Sequence, residues 1–286
     1  MSTGRRVLGF VVGLLMLSVS AYRLWHRFSA GRAEDELRAR PLAPMAPRAW
    51  EACPADEVAY AASRPPYTAP AGIDPAAAWS VTQRSELATR VFPQGLPVAY
   101  PRDCAATGGP TFRRFASFDE AATIANDSAP PMARIGALAA IAESLEPLVY
   151  AYCTPERIDD YQWECARINV ASFRFSSAFL GLIPAAEAAD HEVARNTQWQ
   201  NGLATSRSAV AQTADDLVRM LELDGGVRPS VRALLAHGLA EDLPAARVLV
   251  PDQTLFAPIR ARVVALAARE QQPDVRAQLE LALTRW

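Results

Sequence analysis

The chain has 286 residues, which suits one large domain or two small ones; half are hydrophobic, 21% are charged, and the formal net charge is −2. This composition excludes an intrinsically disordered polymer and a strongly basic nucleic-acid-binding protein. All 29 basic side chains are arginine, which also excludes Schiff-base chemistry at a lysine and a phosphate-binding loop ending in Gly-Lys-Ser or Gly-Lys-Thr.

An apolar stretch lies near the start of the chain. Residues 7–22 carry no charge, and Trp25 extends the apolar character past Arg23. A bilayer core of ~30 Å needs about 20 helical residues, so the segment suffices if Arg23 snorkels and Trp25 lies among the headgroups. We therefore predict an N-terminal transmembrane helix, a membrane anchor or signal-anchor at residues 1–28 that binds the bilayer through residues 7–25.

Two other interpretations of this stretch remain open. A cleaved secretory signal has the same basic start and apolar centre, and Val19-x-Ala21 is a small-residue cleavage site. A buried core helix is the other alternative. We favour an uncleaved anchor because Arg23 and Arg27 follow the apolar segment closely, and positive charge at that place hinders export.

The sequence gives conflicting signals about which side of the membrane the large domain occupies. Arg5 and Arg6 precede the apolar stretch, and the five arginines that follow it are Arg23, Arg27, Arg32, Arg38 and Arg40. The positive-inside rule would then place the large domain in the cytoplasm. The cysteines favour the other side, and we expect a single-pass protein with an extracytoplasmic domain, periplasmic in a bacterium.

The four cysteines all follow the apolar stretch, at Cys53, Cys104, Cys153 and Cys165. Two disulfides in an oxidising compartment are favoured over four buried thiols in a cytosolic domain. None of the cysteines forms a CxxC motif, and the three histidines lie at no metal-ligand spacing from them. We expect neither a metal site nor another cofactor.

A proline-rich linker is predicted at residues 29–75. Eight prolines lie between Pro41 and Pro75, and each removes a backbone donor, so no long helix is expected there. The segment is either a semi-rigid spacer or an irregular coat over the core, with Cys53 favouring some attachment to the body. Residues 76–118 follow as a mixed segment of helix and loop.

An antiparallel helix hairpin or bundle is predicted at residues 119–226. The apolar seam of its first helix consists of Ile135, Leu138, Ala142, Leu145, Val149 and Tyr152. The seam of the second consists of Ile158, Tyr161, Cys165, Ile168, Ser172, Phe175, Phe179 and Leu182, while Asp159, Asp160, Gln162, Glu164 and Arg167 fall off it. Pro147 is expected to kink the first helix.

The turn of this hairpin favours one disulfide pairing. Cys153 lies at the turn and Cys165 lies twelve residues later on the apolar seam, so the turn brings them side by side. We therefore prefer the pair Cys153–Cys165, which leaves Cys53 to pair with Cys104.

A third long helical stretch is predicted from Ala185 to Leu223, after a break at Pro184 and before a C-cap at residues 224–226. Its middle carries polar side chains where a core needs aliphatic ones. The candidate interaction-surface residues there are Arg195, Gln198, Trp199, Gln200 and Asn201. The alternative is a solvated bend that ends at Gly202.

The segment 227–286 repeats a short pattern. Pro229 and Pro273 each begin a P-x-V-R-A sequence, and Pro258 begins a shorter version. The pattern resembles the opening of HEAT-type helices, and the resemblance implies stacked helices with a packing role and no catalytic residues. The spacings depart from the ~40 residues of a regular HEAT array.

A second resemblance concerns catalysis. The segment from Ile141 to Pro147, which reads Ile-Ala-Glu-Ser-Leu-Glu-Pro, resembles the helix-borne Glu-Ser segment of lytic transglycosylases. It implies that Glu143 is a general acid acting on a glycosidic oxygen. The glycine-rich motif that follows in that family is replaced here by residues 148–152.

These observations predict a mainly α-helical, membrane-tethered interaction or scaffold protein of the cell envelope. Its expected partners are the membrane and other envelope proteins, bound through helix faces, and not nucleic acid. We expect no catalysis of its own. The alternative is a cell-wall glycan-cleaving enzyme that uses Glu143.

Overall fold

A computed structural model describes residues 55–63, 124–223, 226–250 and 252–286. Every regular element in these ranges is helical, which confirms the mainly α prediction. In chain order the helices are α1 (Ala55–Ser63), α2 (Pro131–Tyr152), α3 (Gln162–Ala189), α4 (His191–Arg195), α5 (Thr197–Leu221), α6 (Pro229–Leu249), α7 (Ala257–Arg269) and α8 (Pro273–Thr284). A 3-10 helix at Gln253–Leu255 precedes α7.

Several predictions concern residues outside these ranges. The apolar stretch 7–25, the mixed segment 76–118, Cys53 and Cys104 all lie outside the described residues. Of the proline-rich segment 29–75 the structure describes α1. This nine-residue helix lies against the body of the protein, which consists of α2 to α8.

Helices α2 and α3 form the predicted hairpin. They pack against each other, and the two apolar seams are buried from Ile135 to Tyr152 and from Tyr161 to Leu182. α2 continues as one uninterrupted helix past Pro147, the position of the predicted kink. Burial of both seams against each other is what holds the hairpin together.

A disulfide closes the turn of the hairpin. It joins Cys153, directly after α2, to Cys165, about one turn into α3, and their Cα atoms lie 5.1 Å apart. The rings of Tyr152 and Tyr161 pack beside it with their centroids 5.6 Å apart. The bond is the pairing that the sequence favours, and it fixes the loop between the two helices.

Helix α3 is surrounded by the rest of the protein. It contacts α2, α4, α5 and α6, and every residue from Gln162 to Phe173 is buried. Gln162, Glu164 and Arg167 lie off the predicted seam, yet the structure buries them too. A seam indicates one buried face; it does not indicate that further helices cover the remaining faces.

Among the described residues, α3 is the one helix long and apolar enough to cross a membrane. Its most apolar window is 72% buried inside the protein. Buried charged side chains, among them Glu164 and Arg167, lie on the same helix. Its surroundings are therefore those of a core helix.

The break predicted at Pro184 is wrong. α3 continues through Pro184 to Ala189, and the stretch predicted from Ala185 to Leu223 is divided further along. The ring of Pro184 is exposed, whereas Ile183 and Ala186 beside it are buried. Packing of the inner face thus keeps the last turns helical although proline removes one backbone donor.

Two side-chain caps make the breaks instead. The carboxylate of Asp190 accepts hydrogen bonds from the backbone N–H groups of Glu192 and Val193, which starts α4. The side-chain oxygen of Asn196 accepts from the N–H of Trp199 at 3.0 Å, which starts α5. Each cap supplies an acceptor to the first turn of a new helix and so ends the preceding one.

The C-terminal helices begin where the repeated pattern predicts. Pro229, Pro258 and Pro273 each lie in the first turn of a helix, where the missing N–H costs nothing. The aliphatic residue that follows each proline is buried, namely Val231, Ile259 and Val275. α6 contacts α3, α5 and α8, and α7 contacts α5 and α8, so these helices extend the packed core.

Gly238 of α6 packs directly against Val170 of α3. A Cβ atom at this position would lie 2.7 and 2.8 Å from the two γ carbons of Val170. Carbon atoms pack at about 3.5–4.0 Å, so an added methyl group would push the helices apart. The absence of a side chain at Gly238 therefore sets the distance between α3 and α6.

We expect Gly238→Ala to lower the free energy of unfolding by about 1–3 kcal/mol, because the methyl group overpacks this contact. Gly181→Ala is the matched control, since Gly181 is exposed on α3 with no atom within 4 Å of an added Cβ. Helix propensity predicts that the control gains up to about 1 kcal/mol. Chemical denaturation measures both, and a Gly238→Ala variant as stable as the parent would contradict the close approach.

Candidate functional site

A cluster of polar side chains lies where the N-terminal ends of α3 and α6 meet α1. We call it the Arg228 site, and its members are Glu57, Tyr60, Asp159, Asp160, Gln162, Arg228 and Ser230. It joins residues more than 170 positions apart in the sequence, since Ser230 contacts Glu57. It is the place where the proline-rich segment contacts the body.

Gln162 fixes the turn that carries Arg228. Its Nε2 donates to the carbonyl oxygen of Gly226 at 3.1 Å, and its Oε1 accepts from the backbone N–H of Arg228 at 3.1 Å. Gly226 has a φ of 86°, a conformation that L side chains rarely adopt. The first residue of α3 thus holds the entry to α6 in place.

The Arg228 guanidinium binds the carboxylate of Glu57. Its Nε and Nη2 donate to Oε1 and Oε2 at 2.7 and 3.0 Å, and the hydroxyl of Ser230 donates to Oε1 at 2.8 Å. Glu57 is only 2% exposed. The two parallel bonds form the fork-to-fork geometry that makes arginine specific for a carboxylate.

The ring of Tyr60 packs against the same guanidinium. The Arg228 Cζ atom is 3.9 Å from the centre of the Tyr60 ring, and the Tyr60 hydroxyl donates to Asp160 Oδ1 at 3.2 Å. Arg228 Nη1 donates to the carbonyl oxygen of Asp159 at 3.3 Å. The loop that presents Asp159 and Asp160 is the one closed by the disulfide.

These contacts stabilise α1 through charge and ring stacking. A hydrogen bond to a charged group contributes about 1.5–3 kcal/mol, and a cation–π contact about 0.5–1 kcal/mol at an exposed site. Helices shorter than about 12–15 residues are marginal in water, and α1 has nine residues. Its helical state therefore depends on the Arg228 site.

The predicted interaction surface is only partly at the surface. Trp199 is fully buried, and its Nε1 donates to Glu187 Oε1 at 3.0 Å. Gln200 donates to the same oxygen at 3.0 Å and to the carbonyl of Ala194 at 2.9 Å. Trp199 therefore anchors the corner between α3 and α5 and is not a surface residue. The exposed candidates are Arg195, Gln198, Gln200 and Asn201.

The candidate general acid Glu143 lies on α2. Its side chain is outside the described part of the structure. Ala142 before it and Leu145 after it are buried. Within the described residues, no group of three or more His, Cys, Asp or Glu side chains is arranged to hold a metal ion.

The arginines of the two complete P-x-V-R-A segments meet at Glu270. Arg232 donates to its carboxylate, Arg276 donates to its carbonyl oxygen, and the backbone N–H groups of Gln271 and Gln272 donate to Oε1 at 2.9 and 3.0 Å. Burial would raise the pKa of Glu270, but the hydrogen bonds from Gln272 and Arg232 outweigh it and the pKa is lowered. The repeated arginine thus has a packing role, which is to join α6 and α8.

A second set of ion pairs joins α5 to α7. Arg262 donates to the Glu222 carboxylate from Nε at 3.0 Å and from Nη2 at 2.6 Å, and it also donates to Asp215. Asp215 is paired with Arg219 one turn along α5 as well. These pairs hold the end of α5 against the C-terminal helices.

Two carboxyl groups outside these pairs have raised pKa values. Burial raises the pKa of Asp216 to about 7, against a hydrogen bond from Gln212. Burial raises the pKa of Asp242 to about 6, although Arg174 donates to both of its oxygens at 2.9 and 3.0 Å. Because both native values exceed the ordinary one of 3.8, the native state binds these protons more tightly than the unfolded chain.

The Arg228 site is absent from the sequence predictions. Arg228 directly precedes Pro229, so the sequence places it at a helix start, but its partner Glu57 is 171 residues away. No local pattern pairs charges across such a distance. The only local signal is the Glu57-x-x-Tyr60 spacing, which puts a carboxylate and a ring on one side of a short helix.

Comparisons with known proteins were negative at every level. No protein-family model, no curated protein and no solved structure matches this chain. The interpretation of its sites therefore depends on their own geometry and chemistry.

We expect Asp216→Asn to stabilise the protein at pH 8 by about 1–3 kcal/mol, because Asp216 Oδ2 is buried and accepts no hydrogen bond from the described residues. The stabilisation from the raised pKa is present below about pH 4 and is lost as the pH rises through 7. The gain of the variant over the parent should accordingly be largest at pH 8 and smallest near pH 4. Urea unfolding at a series of pH values measures it.

Asp215→Asn is the matched control for this experiment. The neighbouring carboxylate is paired with Arg219 and Arg262, so its removal should destabilise the protein at pH 8. A gain at Asp216 that does not vary between pH 4 and pH 8 would contradict the raised pKa.

Proposed function

We propose that the chain is a membrane-tethered, non-catalytic helical interaction protein of the cell envelope. In this proposal residues 7–25 form an N-terminal membrane anchor and the body lies outside the cytoplasm. The observation that carries the proposal is the disulfide between Cys153 and Cys165 at the hairpin turn. Structural disulfides form and persist in oxidising compartments, which favours the extracytoplasmic side over the side given by the arginine count.

The ion pairs of the body join helices to one another, and this supports a binding role for the body. Four of the ion pairs that the structure describes join segments distant in sequence, namely Glu57–Arg228, Arg174–Asp242, Arg232–Glu270 and Arg262–Glu222. Each of these charges is thereby occupied in holding helices together. In the proposal, the exposed faces remain for partners.

Two surfaces are proposed for partner binding. One is the stack of α6, α7 and α8, whose sequence resembles HEAT-type helices and which we propose binds partners through its helix faces. The other is the polar corner formed by Arg195, Gln198, Gln200 and Asn201, whose side chains are exposed around the buried Trp199. Other envelope proteins are the proposed partners of both.

Topology is the property that tests this proposal first. We expect a reporter enzyme that functions only outside the cytoplasm to be active when it is fused after Trp286. A reporter that functions only in the cytoplasm should be inactive at the same position. Removal of residues 7–22 should reverse the pattern. A cytoplasmic C-terminus would contradict the proposed location and the reason for expecting the disulfide in cells.

Thiol labelling tests the disulfide in the same cells. We expect a maleimide to modify Cys153 and Cys165 in the denatured chain only after reduction. The variant Cys53→Ala/Cys104→Ala serves as the control, because it leaves that pair as the only cysteines. Labelling without reductant would contradict an oxidised pair.

The alternative function is cleavage of cell-wall glycan with Glu143 as the general acid. It is supported by the sequence resemblance around that residue. We expect the purified chain to release no fragments from peptidoglycan, and Glu143→Gln to make no difference. Digestion by the parent chain that is lost in Glu143→Gln would replace the proposed function by this alternative.

A further inference from the structure

The described side chains of α1 contact the body at the Arg228 guanidinium. Among these side chains Glu57 is buried and Tyr60 is partly buried, while Ala55, Asp56, Ala59 and Ser63 are exposed. The bonds of Glu57 and the ring of Tyr60 converge on the Arg228 guanidinium. These contacts are made by a carboxylate, a guanidinium and a tyrosine ring, groups that can separate and become hydrated.

The sequence around α1 keeps this helix short. Pro54 precedes it, and Pro65 and Pro66 follow Ser63 with one residue between. Proline disfavours helix in the residue before it, so the helix cannot lengthen past these positions. A nine-residue helix is marginal by itself, and α1 is therefore expected to fold as it docks.

The body holds the receiving surface without help from α1. Gln162 bonds the turn at Gly226 and the backbone N–H of Arg228, and Asp159 accepts from Arg228 Nη1. The Cys153–Cys165 disulfide closes the loop that carries Asp159. If α1 leaves, the Arg228 guanidinium stays in position, with the Ser230 hydroxyl and the loop of Asp159 and Asp160 beside it.

We propose that α1 is a reversible latch on a docking site that the body presents. The Arg228 site accepts a short helix with a carboxylate and, three residues later, a tyrosine. α1 fills the site in the resting chain, and a partner segment with the same Glu-x-x-Tyr chemistry takes its place. The displacement of α1 by a partner rests on the proposed role as an interaction protein, whereas the reversible docking of α1 does not.

A peptide in trans tests the latch directly. The probe is a fluorescent peptide of residues 54–64, titrated to millimolar concentration against the full chain in detergent, with anisotropy as the readout. In the parent chain α1 competes from a tethered position with an effective concentration of order millimolar. We expect the peptide to bind the variant Glu57→Gln/Tyr60→Ala at least about tenfold more tightly than it binds the parent.

Four control variants make the result specific. Arg228→Gln added to the latch-open variant should abolish binding, while the backbone bond from residue 228 to Gln162 is kept. Ser230→Ala should weaken it partially, because one hydrogen bond to the incoming carboxylate is lost. A peptide with Asp56→Asn should bind like the parent peptide since Asp56 is exposed, whereas a peptide with Glu57→Gln should not.

Any of three outcomes would overturn the latch. These are equal affinity for the parent chain and the latch-open variant, no binding to the latch-open variant, and binding that survives Arg228→Gln. The melting temperature of each variant verifies that its body is folded. The result is independent of the topology experiment, because the purified chain is used in solution.

Discussion

The burial of the first half of α3, in which every residue from Gln162 to Phe173 is buried, is the constraint on which the rest of the structure depends. A helix covered by α2, α4, α5 and α6 carries its polar side chains inside the protein. Asn169 is one of them, and its side-chain NH2 group donates to the carbonyl of Cys165 at 2.9 Å and contacts the sulfur atoms of Cys165 and Met220 at 3.2 and 3.5 Å. These bonds tie α3 to α5 at the level of the disulfide.

The Arg228 site follows from the same constraint at the start of α3. Gln162 is buried there, and its amide is satisfied by the turn before α6. That turn presents Arg228 next to the loop closed by the Cys153–Cys165 disulfide. A segment of the proline-rich region is then held at the surface by the contacts of Glu57 and Tyr60, although it is remote in sequence. Core packing thus positions the one described contact between that region and the body.

Local patterns predicted much of this fold. The seams around Leu138 and Phe175 identified the hairpin, and the prolines at 229 and 273 identified helix starts. The break predicted at Pro184 is wrong because burial of its neighbours outweighs one lost hydrogen bond, and the chain breaks instead at the caps of Asp190 and Asn196.

The candidate site was beyond the reach of local patterns. The bond between Glu57 and Arg228 depends on which helices become neighbours, and helical periodicity carries no information on that. The prediction of Trp199 as a surface residue is wrong for a related reason. The indole N–H of Trp199 donates to Glu187, twelve residues earlier, inside the corner between α3 and α5. The polar residues next to Trp199 in the sequence do not indicate this partner.

Hydrogen exchange of the full chain tests whether the core around α3 positions Arg228 and whether Arg228 holds α1. We expect the strongest protection in α3 and weaker but measurable protection in α1. We further expect Arg228→Gln to remove the protection of α1 and to leave that of α3 unchanged. Exchange of the α1 amides at unfolded-chain rates in the parent protein, or protection of α1 that persists in Arg228→Gln, would contradict the dependence of α1 on Arg228.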